Sequence, residues 1–316
     1  MTTAFVFPGQ GSQAVGMGVE LCNQFASARE VLQEVDDALG LKLSAIIAQG
    51  PEDQLTLTEH AQPAIMAISM AIYRVMQQQM GVKLPGAASC VAGHSLGEYS
   101  ALTAAGTFTI SDCAKLLQIR GRAMQAAVPV GQGGMVAVIG PEMPAVETIV
   151  AEARTRAPGE VIEIANHNST NQIVLSGSAK GMEVAIEVAK EKGAKRALPL
   201  PVSAPFHCSL MKPAAEAMQE ALNKAAMKHP SVPLVANVTA AYVSDADAIK
   251  KLLVQQVTGT VRWVDSVLAM QTAGVTKIVE IGHGNVLTGL IKRIAPDIAL
   301  VNIASAADME SYANAA

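Results

Sequence analysis

The chain has 316 residues, of which 50% are hydrophobic and 16% charged, and its formal net charge is −4. It is long enough to bury a large core, as one large domain or two unequal ones. The negative charge argues against a dedicated nucleic-acid binder, which normally carries a strongly basic face. No apolar run reaches the roughly 18 residues of a membrane span, and residues 1–8 lack a basic leader. We therefore expect a cytoplasmic protein with neither nucleic-acid nor membrane partners.

The cysteines are four scattered residues, Cys22, Cys90, Cys113 and Cys208, and none of them forms a C-x-x-C pair. This spacing predicts reduced, buried thiols rather than a disulfide framework. The sequence also lacks an H-E-x-x-H motif or a Cys/His cluster. We therefore predict no metal site.

The first part of the chain alternates short apolar runs with longer helical patterns. We predict a strand over residues 4–7, a helix-rich stretch over about 24–80, a strand over 88–92, a helix from residue 96 and another over 112–127. This alternation is typical of α/β layering. It predicts a large hydrolase-like domain in which a mostly parallel sheet is flanked by helices.

The rhythm changes after residue 128. Strands are predicted over residues 134–139, 161–165, 172–176 and 196–200, with helices over 145–153 and 180–192. The order β-α-β-β-α-β indicates a small ferredoxin-like α+β domain. A glycine-rich stretch at 131–134 and prolines at 199, 201 and 205 bound it. We therefore assign residues 129–204 to an inserted small domain, and residues 1–128 and 205–316 to the large domain.

The large domain then resumes. We predict helices over residues 210–227, 245–257, 264–271 and 286–294, and strands over 234–238, 277–281 and 298–303. Residues after about 306 are expected to form a frayed end.

Residues 93–97, with the sequence GHSLG, place Ser95 between two glycines where a predicted strand gives way to a helix. This pattern is typical of a nucleophile elbow, whose sharp turn exposes the serine hydroxyl. The backbone N–H of Leu96 would then be free to stabilise an oxyanion. The alternative is a structural turn that happens to hold a serine.

A serine nucleophile needs a base, and histidine is the usual one. Of six histidines, His207 lies just beyond the predicted domain boundary, where pockets tend to form. We take it as the base; the alternative is a cap of the following helix. His94 adjoins the serine, but its side chain should point to the opposite face of the strand, which favours a packing role.

The predicted first strand runs into a glycine loop at residues 9–13. The loop fails the dinucleotide-binding fingerprint because Ala14 stands where the third glycine is needed. At the carboxyl end of a parallel strand it could instead offer a second oxyanion donor. A plain turn is the alternative.

Arg120 lies on the apolar face of the helix over 112–127, in line with Leu116 and Met124. A guanidinium directed inward is costly unless an anion meets it, and its parallel N–H groups match a carboxylate. That anion is either a ligand or an internal Asp or Glu, and the sequence leaves both open.

Five segments together resemble the malonyl-CoA:acyl carrier protein transacylases over essentially the whole chain. They are GQGSQ at 9–13, GHSLGE at 93–98, RGR at 120–122, APFH at 204–207, and EIG at 280–282 with VLTG at 286–289. Two positions depart from the family pattern, since Thr260 and His283 stand where proline is common. Both departures concern loop stiffness more than chemistry.

The resemblance implies that Ser95 is the nucleophile, His207 the base and Arg120 the carboxylate-binding residue. It implies oxyanion donors at the N–H groups of Gln10 and Leu96. A backbone carbonyl, that of Gln256, would orient the histidine, although Gln256 alone would be read as a solvated helical position. Asn166 and Phe206 would lie in the substrate pocket; the alternative for Asn166 is a turn residue ending a strand.

The resemblance further implies malonyl transfer from malonyl-CoA to the phosphopantetheine thiol of acyl carrier protein through a malonyl-serine, for fatty-acid synthesis, by a monomer without a cofactor. The alternatives are a malonyl acyltransferase of a polyketide pathway, a serine thioesterase, and a catalytically silent docking module. Lys190, Lys192, Lys195 and Arg196 could form part of a surface for the acidic carrier protein, or could simply suit a helix C-terminus.

Overall fold

The computed structural model describes residues 2–314 and contains two β-sheets. The first 128 residues hold strands β1 (Thr3–Phe7) and β2 (Cys90–Gly93), and helices α1 (Val19–Gln24), α2 (Ala26–Leu39), α3 (Leu43–Gln49), α4 (Glu52–Thr56), α5 (Thr58–Met80), α6 (Gly97–Ala104) and α7 (Ile110–Ala126). The middle segment holds β3 (Gly133–Ile139), α8 (Met143–Arg156), β4 (Ile162–Ser169), β5 (Gln172–Ser178), α9 (Ala179–Glu191) and β6 (Arg196–Pro199). The last segment holds a 3₁₀ turn (Ser209–Met211), α10 (Lys212–Lys224), β7 (Leu234–Val235), β8 (Tyr242–Val243), α11 (Ala246–Thr258), α12 (Trp263–Thr272), β9 (Lys277–Ile281), α13 (Val286–Ile294), β10 (Ala299–Ile303) and α14 (Ala306–Asn314).

The larger sheet has six strands in the order β10-β9-β1-β2-β7-β8. All neighbouring pairs are parallel except β7 with β8. The central strand β1 is buried apart from its first residue, as expected for a parallel strand covered on both faces. The α/β fold predicted for this part of the chain is confirmed.

The helices on one face of the large sheet pack around α5. This helix has 23 residues, and an unbroken run from Ala61 to Tyr73 is buried. A helix that is apolar on nearly every side must be enclosed by others. It packs between α2 and α7, so Arg120 on α7 and Gln62 on α5 are both held inside the core.

The smaller sheet has four antiparallel strands in the order β4-β5-β3-β6. Its strands and helices follow one another as β-α-β-β-α-β, and α8 and α9 bury their own apolar cluster against it. The boundaries predicted for an inserted domain at residues 129 and 204 stay a prediction.

Three hydrogen bonds join the middle segment to the loop before α12. The amide of Val261 donates to Ala165 O (2.8 Å), the amide of His167 donates to Val261 O (2.9 Å), and the Thr260 hydroxyl donates to Ile164 O (2.6 Å). Because these bonds run along β4, that strand is attached to the loop between α11 and α12.

The helix-rich stretch expected over about 24–80 is found, and it is divided into several helices at Gly40, Gly50 and Pro51. The structure corrects two other expectations about elements. The strand expected over 234–238 ends at Val235 and is followed by a short hairpin partner, β8. The C-terminal residues expected to fray form α14 up to residue 314.

The last helix is held by a cap and by burial. The Ser305 amide donates to the Asp308 carboxylate, and the Asp308 amide donates to the Ser305 hydroxyl. This reciprocal pair is a capping box, and Met309 buries one face of the helix. Within residues 2–314, no helix is long and apolar enough to cross a membrane.

Candidate active site

Ser95 lies in the turn between β2 and α6, with a φ of 54°. This left-handed conformation is unfavourable for a residue with a side chain. The flanking glycines make the turn possible: a Cβ on Gly93 would lie 2.0 Å from Gly97 C, and one on Gly97 would lie 2.2 Å from Phe7 O. The elbow is therefore packed directly against the end of β1.

His207 places its ring between the serine and a backbone carbonyl. Its Nε2 lies 2.8 Å from Ser95 Oγ, and its Nδ1 lies 2.8 Å from Gln256 O. Since a carbonyl can only accept, Nδ1 carries the proton and Nε2 is free to accept from the hydroxyl. His207 has a φ of 59°, and residue 208, not His207, precedes the 3₁₀ turn.

Burial, assisted by the nearby Arg120 charge, lowers the pKa of His207 to about 3. The imidazole is therefore neutral in the resting protein, as a general base must be. The ring is 4% exposed.

Arg120 is 1% exposed, and its partners in this site are neutral. Its Nη1 donates to Gln62 Oε1 (2.8 Å), and its Nη2 donates to Gln256 Oε1 (2.8 Å) and to Ser95 Oγ (3.1 Å). Within residues 2–314, its Nε has no hydrogen-bond partner and no carboxylate forms a salt bridge with it. The internal ion pair that the sequence left open is therefore not the arrangement found.

Two backbone N–H groups near the serine are available to an anion. Leu96 follows Ser95 in the elbow, and Gln10 lies in the loop after β1. In the described part of the chain, neither N–H donates to a protein acceptor. A Cβ on Gly9 would lie 2.5 Å from His94 O, so the Gln10 loop is in contact with the elbow. Their role as oxyanion donors stays a prediction.

A buried polar network lies behind the serine. Asn237 Oδ1 accepts from the Ser95 amide (2.8 Å), and Gln256 Nε2 donates to Ser95 O (2.9 Å). Glu98 accepts from the Asn237 amide (3.1 Å) and from Gln256 Nε2. Glu98, Asn237 and the Gln256 side chain were not predicted as site residues.

Gln256 is fully buried, so a solvated position on α11 was the wrong expectation for its side chain. For Glu98, the sequence offered one signal of a role in the site: the elbow motif extends through this residue. Nothing near Asn237 in the sequence marks it, because it reaches the elbow across the sheet.

The remaining candidate residues, Asn166, Phe206 and His94, are not among the hydrogen-bond partners of Ser95 described above. Asn166 lies within β4 at a register shift, not in a turn. Phe206 is 7% exposed and belongs to the main core. His94 points away from Ser95, as expected: its Nε2 lies 2.7 Å from Asn168 Oδ1, and its ring packs beside Trp263. Binding roles for Asn166 and Phe206 stay predictions.

A cleft of about 400 Å³ borders the elbow. Gly9, Gln10, His94, Asn168, Asn285 and Arg293 are among the residues that line it. In residues 2–314, no group of three or more His, Cys, Asp or Glu side chains is placed to hold a metal ion. All four cysteines are free, and three of them are buried.

A strained serine after a parallel strand, a neutral histidine on its oxygen and two available N–H groups define a serine enzyme of the acyl-transfer class. The family model described as "Acyl transferase domain" matches residues 4–314. The chain belongs to this acyl transferase family.

Curated relatives are similar in sequence to most of the chain. The chain is 46% identical over 291 residues to the malonyl CoA-acyl carrier protein transacylase of Escherichia coli (strain K12), covering 92% of each chain. It is 43% identical to the protein of that name in Bacillus subtilis (strain 168), covering 92% of this chain and 90% of the relative.

Solved structures of similar proteins closely match the fold of this chain. An acyl-carrier-protein S-malonyltransferase from Bartonella henselae is 53% identical, with a TM-score of 0.96, over 100% of this chain and 99% of that one. A malonyl-transacylase described in complex with its type II PKS acyl-carrier protein is 40% identical, with a TM-score of 0.95, over 100% of both chains.

Proposed function

We propose that the chain transfers a malonyl group from malonyl-CoA to the phosphopantetheine thiol of acyl carrier protein, and so supplies fatty-acid synthesis. The single observation that carries the proposal is the fully buried Arg120, whose Nη2 lies 3.1 Å from Ser95 Oγ and which forms no salt bridge to a carboxylate of residues 2–314. A guanidinium beside the nucleophile selects an acyl group that bears its own carboxylate. The names of the relatives support the same substrate.

In the first half-reaction, Ser95 Oγ attacks the thioester carbon while its proton passes to His207 Nε2. The carbonyl oxygen becomes an oxyanion, which accepts from the N–H groups of Gln10 and Leu96. The C–S bond then breaks, and the proton on His207 moves to the sulfur of departing coenzyme A. A malonyl ester of Ser95 is left.

In the second half-reaction, the thiol of the acceptor replaces coenzyme A. His207 takes the thiol proton as sulfur attacks the ester, the same oxyanion forms, and the C–O bond to Ser95 breaks. The proton returns to Ser95 Oγ. Because serine, histidine and backbone N–H groups supply every proton and charge, we propose that the reaction uses no metal or organic cofactor; activity unaffected by a chelator would support this.

The finer points of assembly and location are proposals as well. We propose a monomer, which light scattering after size-exclusion chromatography would test. We propose a cytoplasmic location, supported by the free thiols and tested by cell fractionation.

The proposed carrier-protein surface around α9 is smaller than its charge suggests. Lys192 forms a salt bridge to Glu152 (2.6 Å), so its charge is already paired. Lys190, Lys195 and Arg196 form no salt bridge within residues 2–314 and remain as its candidates. Reversing the charges of Lys195 and Arg196 should raise the KM for carrier protein and weaken its salt dependence; unchanged values would remove this surface from the proposal.

The central experiment detects the acyl-enzyme. The protein is mixed with malonyl-CoA, quenched in acid within a turnover, digested and analysed by mass spectrometry. The peptide that contains Ser95 should gain the mass of a malonyl group, and an acetyl-CoA control should give much less. An unmodified Ser95 peptide in a protein that still turns over would overturn the proposal.

A thioesterase would use the same serine and histidine, so the acceptor must be varied. Donor consumption is compared with carrier protein present and with water alone. A transferase consumes malonyl-CoA slowly without the thiol, whereas equal rates would establish a hydrolase. Pairing the enzyme with fatty-acid and polyketide carrier proteins of its own organism would decide between those pathways by kcat/KM.

A further inference from the structure

Glu98 is a buried carboxylate that the proposed reaction leaves without a task. It lies on α6, every residue of which is buried, and it is 1% exposed. Burial raises the pKa of Glu98 to about 7 despite the hydrogen bonds that it accepts. A carboxyl group kept at such a cost calls for an explanation beyond packing.

The contacts of Glu98 lead to the side-chain amide of Gln256. One Glu98 oxygen accepts from the Asn237 amide and the other from Gln256 Nε2. That amide therefore has acceptors on its nitrogen side, Glu98 and Ser95 O. Its oxygen faces the other way and accepts from Arg120 Nη2 at 2.8 Å.

An amide has two orientations related by a flip of nitrogen and oxygen. The Glu98 carboxylate admits only one of them, because a flipped Gln256 would turn its oxygen toward the carboxylate and its N–H groups toward the guanidinium. Both contacts would then be repulsive. The ionised form of Glu98 thereby adds to the contacts with Arg120 and Ser95 O that keep the amide oxygen turned toward the guanidinium.

We propose that Glu98 is a positioning residue: through the Gln256 side chain it orients the Arg120 guanidinium toward the acyl group and so sets selectivity for malonyl over acetyl donors. This inference rests on the proposed function, which predicts that the unaltered enzyme prefers malonyl-CoA. It adds a role for the Gln256 side chain that is separate from the contact between Gln256 O and His207.

The test uses Glu98→Gln, which keeps the shape but loses the carboxylate. The introduced side-chain amide can present either its oxygen to Gln256 Nε2 or its N–H groups to Gln256 Oε1, so the variant no longer favours one orientation of the Gln256 amide at this contact. We expect kcat/KM for malonyl-CoA to fall by about 10- to 100-fold, with a lower kcat, and the malonyl-to-acetyl ratio of kcat/KM to fall about tenfold. Gln256→Met, which keeps the backbone carbonyl, should lower the ratio similarly.

The double variant decides whether the two residues act as one unit. If Glu98 works through Gln256, Glu98→Gln should lower the ratio little further in a Gln256→Met background. Independent, multiplicative losses would overturn the inference. Should Glu98→Gln fail to fold, an unchanged ratio in Gln256→Met would overturn it as well.

Matched controls separate positioning from general damage. Glu280 is also a buried carboxylate, and it accepts from the amides of Leu287 and Thr288 at the start of α13. Glu280→Gln should lower the unfolding temperature without changing the malonyl-to-acetyl ratio. Gln255→Met, at the exposed neighbour of Gln256 on α11, should change neither.

Two results would refute the role of Glu98. If kcat/KM fell equally for malonyl-CoA and acetyl-CoA, so that their ratio stayed unchanged, the role of Glu98 would be purely structural. A lower KM for malonyl-CoA with unchanged kcat would show that Glu98 is only a counter-charge to Arg120. If the unaltered enzyme itself shows no preference for malonyl-CoA, the proposed function fails instead.

Discussion

Two arginines of the chain lie in opposite circumstances. Arg120, in the core, donates to two glutamine oxygens and a serine hydroxyl. Arg156, at the end of α8, is 38% exposed and contacts two carboxylates, those of Glu152 and Glu191. The exposed arginine thus has the anionic partners that the buried one lacks.

The difference shows where electrostatic energy is available for function. At the surface, water screens the Arg156 cluster, so its ion pairs contribute little to stability. In the core, screening is weak, and a guanidinium with neutral partners attracts an arriving anion strongly. Burial lowers the pKa of Arg120, and the nearby Tyr99 and Glu98 side chains act in the opposite direction. The buried arginine therefore has the greater capacity for binding.

The largest effect on activity is expected when the Ser95 hydroxyl, which lies beside Arg120, is removed. Ser95→Ala deletes the nucleophile, so kcat for malonyl exchange should fall by at least about 10⁴-fold. Exchange of labelled coenzyme A into malonyl-CoA measures this half-reaction alone. Malonyl-CoA binding should persist in the variant, since Arg120 stays in place, and a fall of less than about tenfold in kcat would contradict the assignment.

Removing the buried arginine comes next. Arg120→Ala should lower kcat/KM for malonyl-CoA by roughly 10²-fold, because the malonyl carboxylate then enters a buried site without a cation. The value for acetyl-CoA should fall much less. Steady-state kinetics with both donors checks this, and a preserved preference for malonyl-CoA would show that the comparison of the two arginines is wrong.

An intermediate effect concerns pH and stability. The pKa of His207 is about 3 in the folded protein and near 6.5 when unfolded. Between these values the unfolded state binds the extra proton, so stability is lost as pH falls below about 6.5. At pH 5 this contribution is about 2 kcal/mol. His207→Gln should thus lose about that much less stability than the unaltered protein between pH 8 and pH 5 in urea unfolding; parallel curves would contradict the lowered pKa.

The smallest effect is expected at the surface. Arg156→Ala should change Tm by no more than about 2 °C, since exposed pairs contribute little. Differential scanning calorimetry in low and in high salt measures it. Kinetics with malonyl-CoA should not change, and a selectivity change there would mean that the two arginines do not differ as described.

Much of the fold was readable because local patterns determine it. The apolar run before Gly93 and the glycines around Ser95 predict a strand, a tight turn and a helix, which are the elements found. The parallel order of the large sheet follows from alternating strands and helices. The α14 capping box was present in the sequence at Ser305 and Asp308, but the position near the chain end favoured a frayed segment.

The sequence predicted only those site residues whose side-chain type itself indicates a chemical role. Ser95, His207 and Arg120 stand out as nucleophile, base and cation, and the structure brings them together. Asn237 and the Gln256 side chain do not stand out, since an amide acquires its role from partners far along the chain. Gln256 reaches Ser95 across 161 positions of sequence, a contact that no local pattern reveals.

The partner that orients His207 is a main-chain oxygen, that of Gln256. No ordinary side-chain exchange at position 256 can delete a peptide carbonyl, whereas an aspartate in that place would be lost in one step. A substitution at position 256 therefore leaves the acceptor of the His207 Nδ1 proton, and with it the imidazole tautomer, in place. Because that carbonyl carries no formal charge, it offers a protonated ring no counter-ion, and we expect such an imidazolium to give up its proton readily.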